Sequence, residues 1–354
     1  MPLYYEVYEG NRNDVTQFPQ VVAKFHAFLK ELAVQVPTVL QTTLIFDKGN
    51  NSCENITGLD DLPLKFVGSV KLSELPELAA VSHGDARYVP CAEDEFPGTK
   101  AFVVKHPLYG QERTVVVTYN QQLFDTQWLT VQQDLAKATE QLGALQQRLQ
   151  DRAAGRIKGG NTPTVASVEK QCRELLSRPY LKDLLPYTVS AGEQAVPRLD
   201  YHLDSAALKT LLDTELGKNL LITNQHTWEA PRIIRAYRSQ YLIEEVFKQM
   251  KDRQIGTWWP LHHWTDPKIY VHGLYCALAV LLRALLQRQA HQQGLTLSLK
   301  RLLSELDGIR EVVNVYPRKR GKGAGTTHTV WTKLSPIQEK LVAIYELSRA
   351  KAPF

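Results

Sequence analysis

Val39 to Asn50 reads VLQTTLIFDKGN, a short apolar run that ends on an acid, Asp47, and passes at once into Gly49 and Asn50. Apolar and β-branched residues closed off by turn chemistry mark a strand over Val39 to Phe46. Just upstream, Phe18 to Leu32 carries Val21, Val22, Phe25, Phe28 and Leu29 at helical spacing, which predicts an amphipathic helix. Further back, Leu3 to Val7 alternates apolar and polar residues as a strand does, and Gly10 to Asp14 (GNRND) supplies a turn. Downstream, Asn50 to Leu59 reads as a helix and Lys65 to Val70 (KFVGSV) as another short strand. Strands and helices in alternation predict an α/β fold, and in such sheets ligands gather beyond the carboxyl ends of strands, where Asp47 stands.

The composition sets wider bounds. With 354 residues, 44% of them hydrophobic, the chain can bury a substantial core, which excludes intrinsic disorder and a disulfide-stapled miniprotein. The length suits two domains, or one domain with a large insertion. Lys and Arg total 42 against 37 Asp and Glu, a net charge of +5 that permits a polyanionic partner without demanding one. Cys53, Cys91, Cys172 and Cys276 lie far apart and form no CxxC, so reduced thiols are expected rather than a zinc ribbon or a disulfide framework. The opening MPLYYEVYEG lacks the basic and apolar regions of a secretion signal. The longest apolar block, Gly273 to Leu282, is about half of the ~20 residues a membrane helix needs and stops at Arg283. A soluble, cytoplasmic protein is the expectation. Because the chain opens directly in a strand, it is also expected to lack its beginning.

From Phe102 to Asn120, FVVKH and ERTVVVTYN flank a Gly-containing turn and predict a β-hairpin. Trp128, Val131, Leu135, Ala138, Leu142, Leu145 and Leu149 then step by threes and fours. Gly155 to Pro163 interrupts, and Val165, Val168, Cys172, Leu175 and Leu176 resume. Two helices around a short turn predict an antiparallel hairpin, with a parallel dimeric coiled coil as the competing reading. Asn219 to Thr223 (NLLIT) is a compact strand, and Thr227 and Pro231 open a helix expected to run unbroken from Ala230 to Lys251. Ile269 to Leu286 is almost wholly apolar, which argues for burial. A helix near Leu297 to Glu305, a basic segment Arg318 to Lys322 (RKRGK) and a last helix from Ile337 complete the chain.

The stretch Tyr237 to Asp252, YRSQYLIEEVFKQMKD, holds the most chemistry. On one continuous helix Tyr237, Glu244 and Lys251 recur every seven residues and share a stripe with Gln240, Tyr241 and Lys248. Ala236, Ile243, Phe247 and Met250 form an apolar stripe beside it. A carboxylate among a phenol and ammonium groups suits a phosphodiester; the alternative is an ordinary amphipathic helix with solvated Glu and Lys pairs.

These blocks together resemble the DDE transposases of bacterial insertion sequences, in the insertion-sequence-4-like group. PLYYEVYEGNRND resembles that family's third core strand and turn, and TLIFDKGNNSCEN its second-aspartate block. YRSQYLIEEVFKQMK is similar to its signature of Tyr, Arg, Glu and Lys at offsets of three, seven and fourteen, with Gln240 where the signature has Arg. WPLHHWTDPKIYVHGLYCALAVLL resembles the helix region that follows. The resemblance implies a ribonuclease H-like core in which Asp47 and Glu244 are catalytic and hold two Mg²⁺ or Mn²⁺ ions, hard cations suited to oxygen ligands. It implies that Tyr237 and Lys251 contact DNA phosphates, with Gln240, Lys248 and a base-stacking Tyr241 beside them. DNA at the element's ends and at the target, and a second protomer, are the implied partners in a bacterial, nucleoid-associated setting.

Within that resemblance residues 1–80 form the first part of the core and 81–215 an insertion, with the helical hairpin at 127–179. Residues 216–290 form the second part, carrying Glu244, and 291–354 a helical and basic tail. The family's first aspartate has no counterpart, since Asp14, Asp60, Asp61 and Asp85 lack the strand-end setting of Asp47. The chain alone is therefore expected to cleave DNA poorly. The alternative is a noncatalytic DNA-binding or oligomerising remnant that interferes with the complete enzyme. Arg318, Lys319 and Arg320 in a Gly-rich loop suit nonspecific phosphate contacts, with a merely solvated loop as the alternative. His262, His263 and His272 read as a cluster packed on aromatics rather than a metal site.

Overall fold

Asn13 decides where the first helix begins. Its side chain accepts from the Val15 backbone N–H at 3.2 Å, so α1 runs Asp14–Ala33 and Asp14 opens a helix instead of closing a turn. These features belong to a computed structural model that describes residues 3–192, 195–256, 258, 261–316 and 326–347. It divides into two compact units, residues 13–240, and residues 1–12 together with 241–354.

In the first unit the strand around Leu44 is shorter than its apolar run: β1 is Thr43–Ile45, because Pro37–Gln41 forms a 3₁₀ turn. Ser52 caps α2 (Cys53–Asp60), and β2 (Lys65–Val70) follows. Next come α3 (Pro76–Ala79), β3 (Val89–Pro90), β4 (Thr99–Leu108), β5 (Gln111–Asn120) and α4 (Gln121–Ala153). The chain goes on through α5 (Val165–Leu175), α6 (Leu181–Leu184), β6 (Tyr187–Ser190), β7 (Arg198–Tyr201) and α7 (Ser205–Thr210). It ends with β8 (Lys218–Thr223) and α8 (Ala230–Arg238).

Six strands form one mixed sheet in the order β1-β2-β8-β5-β4-β3. Only β1 and β2 run parallel, with Leu44 opposite Phe66. The α/β expectation therefore holds. Val115 to Val117 in β5 and Leu220 to Ile222 in β8 are continuously apolar because both faces of the sheet are covered. Val115, Val117, Leu220 and Ile222 pack with Phe66 against Val22, Leu29, Ile56 and Leu59 of α1 and α2. Val116, Leu221 and Val67 pack on the other face against Ile233 and Ile234 of α8. Each such side chain removed from water contributes about 1.5–3 kcal/mol.

The β4–β5 hairpin turns at Tyr109 and Gly110, whose φ of 53° and 78° match a two-residue primed turn. The heptad stripe folds back within its own chain: Leu142, Leu145 and Leu149 of α4 are buried with Val168 and Cys172 of α5 and with Leu199 of β7. Lys218 is also buried, and donates to the carbonyls of Ala79 at 2.5 Å and Val81 at 2.6 Å, while burial lowers its pKa to about 8.

The second unit contains α9 (Tyr241–Lys251), α10 (Asp266–Gln292), α11 (Leu299–Asp307), the antiparallel pair β9 (Glu311–Tyr316) and β10 (Thr326–Trp331), and α12 (Pro336–Ile344). Leu297, Leu302 and Leu341 form its buried centre with Leu286, Ile337 and Tyr345. The β9–β10 pair was not anticipated from the sequence.

Three expectations are corrected. Leu3 to Val7 forms no strand. Val7 packs on a helix instead: a Cβ at Gly273 of α10 would come within 2.8 Å of Val7 Cγ2, so this end of the segment meets a helix surface rather than a neighbouring backbone. The helix from Ala230 to Lys251 is two helices, because Ser239 and Gln240 form a turn between α8 and α9. The Ser239 hydroxyl donates to the Ala236 carbonyl at 2.6 Å, and such local bonding competes with the helical ladder. Finally, the apolar helix is not buried. Gly273, Cys276, Val280 and Ala290 of α10 are covered, whereas Tyr275 is 68% and Leu282 61% exposed. At 27 residues, α10 is long and apolar enough to cross a membrane, judged by length and composition alone.

Candidate functional site

Asp47 is placed by the residue before it. The Phe46 N–H reaches the Val67 carbonyl at 3.3 Å, continuing the parallel register of β1 and β2 by one step. The Phe46 ring is buried over Gly68, where a Cβ would lie 2.8 Å from Cε2, and meets Phe18 edge-on at 5.1 Å. Phe46 therefore locks into the core as the next side chain turns out to solvent. Asp47 is exposed, and its Oδ1 accepts the Lys48 N–H at 2.7 Å, which caps the turn Lys48–Asn50. The other carboxylate oxygen, Oδ2, lies near Gly49, 3.9 Å from where a Cβ on that residue would stand.

Tyr237 reaches the same edge by another route. Ile233 and Ile234 seat α8 on the sheet, Arg235 pairs with Glu95, and Arg238 donates to Thr99 Oγ1 at 3.0 Å while lying over Phe96. The half-buried Tyr237 hydroxyl then sits 2.7 Å from Ser69 Oγ, 168 positions earlier in the chain. Ser69 is buried in β2, and Asn51, just beyond Asp47, donates from Nδ2 to the Ser69 carbonyl. Burial pushes the Tyr237 phenol pKa up; the Ser69 hydrogen bond works against this, and the negative charge of Asp47 adds to it. Two blocks singled out by sequence, TLIFDKGN and YRSQ, thus converge within one unit. Ser69 and Asn51 were not singled out; the signal was a hydroxyl residue inside the apolar run KFVGSV.

No family model, no curated protein and no solved structure matches the chain.

Glu244 lies in the first turn of α9, in the other unit, and is exposed. Tyr241, Glu244, Lys248 and Lys251 keep their common stripe on this helix, with the acid near its N-terminus and the ammonium groups near its C-terminus, as the helix dipole favours. Their apolar neighbours are not a buried stripe: Ile243 is 55% and Phe247 52% exposed. Gln240 stands in the turn before α9 with its Nε2 buried and unpartnered. Arg318, Lys319 and Arg320 lie outside the described residues.

Of the other carboxylates weighed, Asp60 is held by Arg113 and Asp85 by Arg87, Asp61 closes α2, and Asp14 opens α1. Among the described residues no three His, Cys, Asp or Glu side chains are grouped to hold a metal ion. Asp47 supplies hard oxygen donors of the kind Mg²⁺ takes, but these residues do not by themselves compose a metal centre. His263 and His272 have rings 5.4 Å apart, with Trp258 5.6 Å from His272, an aromatic packing cluster.

Proposed function

We propose that the chain is a DDE-type transposase polypeptide of the insertion-sequence-4-like group, acting on DNA by phosphoryl transfer, with Asp47 and Glu244 as its carboxylates. The observation that carries this reading is that Tyr237, hydrogen-bonded to Ser69 of β2, lies within electrostatic reach of Asp47 just past β1, although the two motifs are far apart in sequence. The parallel β1–β2 pair joined through α2, with Asp47 just past β1, supports the reading as one strand–helix–strand unit of the kind a ribonuclease H-like core contains. An exposed acid within reach of a phenol at a strand's end suits a phosphodiester substrate. In this reading Tyr237, Gln240, Tyr241, Lys248 and Lys251 contact DNA, and a second protomer joins on the DNA. Two Mg²⁺ or Mn²⁺ ions would activate the attacking oxygen and stabilise the leaving one, with Asp47 giving one oxygen ligand.

In this reading the chain binds DNA, and, with Asp60 paired to Arg113 and Asp85 to Arg87, it cleaves that DNA poorly by itself. The test incubates the purified chain with Mg²⁺ or Mn²⁺ and end-labelled duplexes from the DNA flanking its coding sequence. Retarded mobility with little cleavage is expected. Robust cleavage lost in Asp47→Ala would overturn the incompleteness, and binding no tighter than that of a neutral control protein would overturn the family reading.

A further inference from the structure

One hydrogen lies between Ser69 Oγ and the Tyr237 hydroxyl oxygen, 2.7 Å apart, so one of the two O–H groups must point elsewhere. Were Tyr237 the donor, the Ser69 hydrogen would need another acceptor inside β2, where Ser69 is only 3% exposed, and an unsatisfied buried donor is costly. Were Ser69 the donor, the free O–H would belong to Tyr237, which is only half-buried and feels the charge of Asp47. The second arrangement leaves no buried donor stranded.

We propose that Ser69 is a positioning residue that donates to the Tyr237 phenol oxygen and so turns the phenol O–H outward, as a donor to a phosphodiester oxygen. This rests on the reading of Tyr237 as a DNA contact. Ser69 touches no DNA; it acts by fixing both the place and the donor direction of the tyrosine. Asn51 braces it from behind, through its bond to the Ser69 carbonyl.

The test uses the full chain labelled with ¹³C at tyrosine Cζ, with Tyr237 assigned by its loss in Tyr237→Phe, and a fluorescent 20-base-pair duplex as the binding probe. Ser69→Ala should shift the Tyr237 resonance at neutral pH and weaken duplex binding about 3- to 10-fold, as loss of one hydrogen bond does. Tyr237→Phe should weaken binding by a similar factor, the double variant no further, and Ser69→Thr should restore both readouts. If alanine unfolds the chain, Ser69→Cys keeps the volume with a weaker donor and serves instead. The proposal is overturned if Tyr237→Phe weakens binding while Ser69→Ala does not, or if the two losses multiply. If Tyr237→Phe leaves binding unchanged although Ser69→Ala moves the resonance, it is the DNA-contact reading that fails.

Discussion

The carboxylate of Asp60 in α2 and the guanidinium of Arg113 in β5 face each other through two parallel N–H···O bonds, one of them 2.7 Å long, with the arginine side chain only 2% exposed. The guanidinium also lies over the Phe66 ring at 5.3 Å, so the pair ties α2 to the sheet. Removing one partner of a buried pair strands the other charge. Asp60→Ala should therefore destabilise the chain by about 3–5 kcal/mol. Urea unfolding of that variant should show the loss, and should show a smaller one in an Asp60→Ala, Arg113→Met double variant.

Gly68 is required by Phe46. A side chain at position 68 would enter the space of that ring, and overpacking of this kind costs about 1–3 kcal/mol. Gly68→Val should lower the unfolding midpoint and also raise the mobility of Asp47, which Phe46 anchors. A nitroxide label at Asp47 would read the second effect; an unchanged spectrum would contradict the anchoring.

His83 carries a pH dependence whose sign can be worked out. Burial, and then the charge of Lys218, lower its pKa to about 4, with Lys100 adding to the effect and Asp213 opposing it. The folded state therefore holds the neutral ring, while the unfolded chain takes up a proton below about 6.5. Stability from this group is complete above pH 6.5 and is lost as the pH falls towards 4, by on the order of 2–3 kcal/mol. Urea midpoints for the wild type and His83→Gln should differ in slope across that window and run parallel above it.

Leu142 lies at the centre of the α4–α5 hairpin and is fully buried there. Because its stripe is covered by the same chain, Leu142→Ala should cost about 2–5 kcal/mol without any dependence on protein concentration. A midpoint that rises with concentration would instead favour pairing of this stripe between chains.

Local chemistry made much of this protein legible. The turn residues around Tyr109 and Gly110, the heptad from Trp128 to Leu149 and the apolar run at Leu220 each determine an element through neighbours close in sequence. Asp47 was visible as a strand-end acid for the same reason. Less legible were features that depend on what an element meets. Leu3 to Val7 has a strand's alternation but lies against Gly273, and α10 has a buried helix's composition with only one stripe covered. The helix through Ser239 was read as continuous because the pattern on either side is periodic, and periodicity does not register one hydroxyl bonding back to a carbonyl. Ser69 shows the limit most clearly. In sequence it is one polar residue in KFVGSV; its partner is 168 positions away, and only the packing of α8 on the sheet brings the two oxygens within 2.7 Å. Sequence by itself determined many of the elements and the acid at the strand's end, because those follow from short-range sterics and patterning. Which hydroxyl stands beside that acid was decided by tertiary structure, because a hydrogen bond between distant residues exists only once both are held in place.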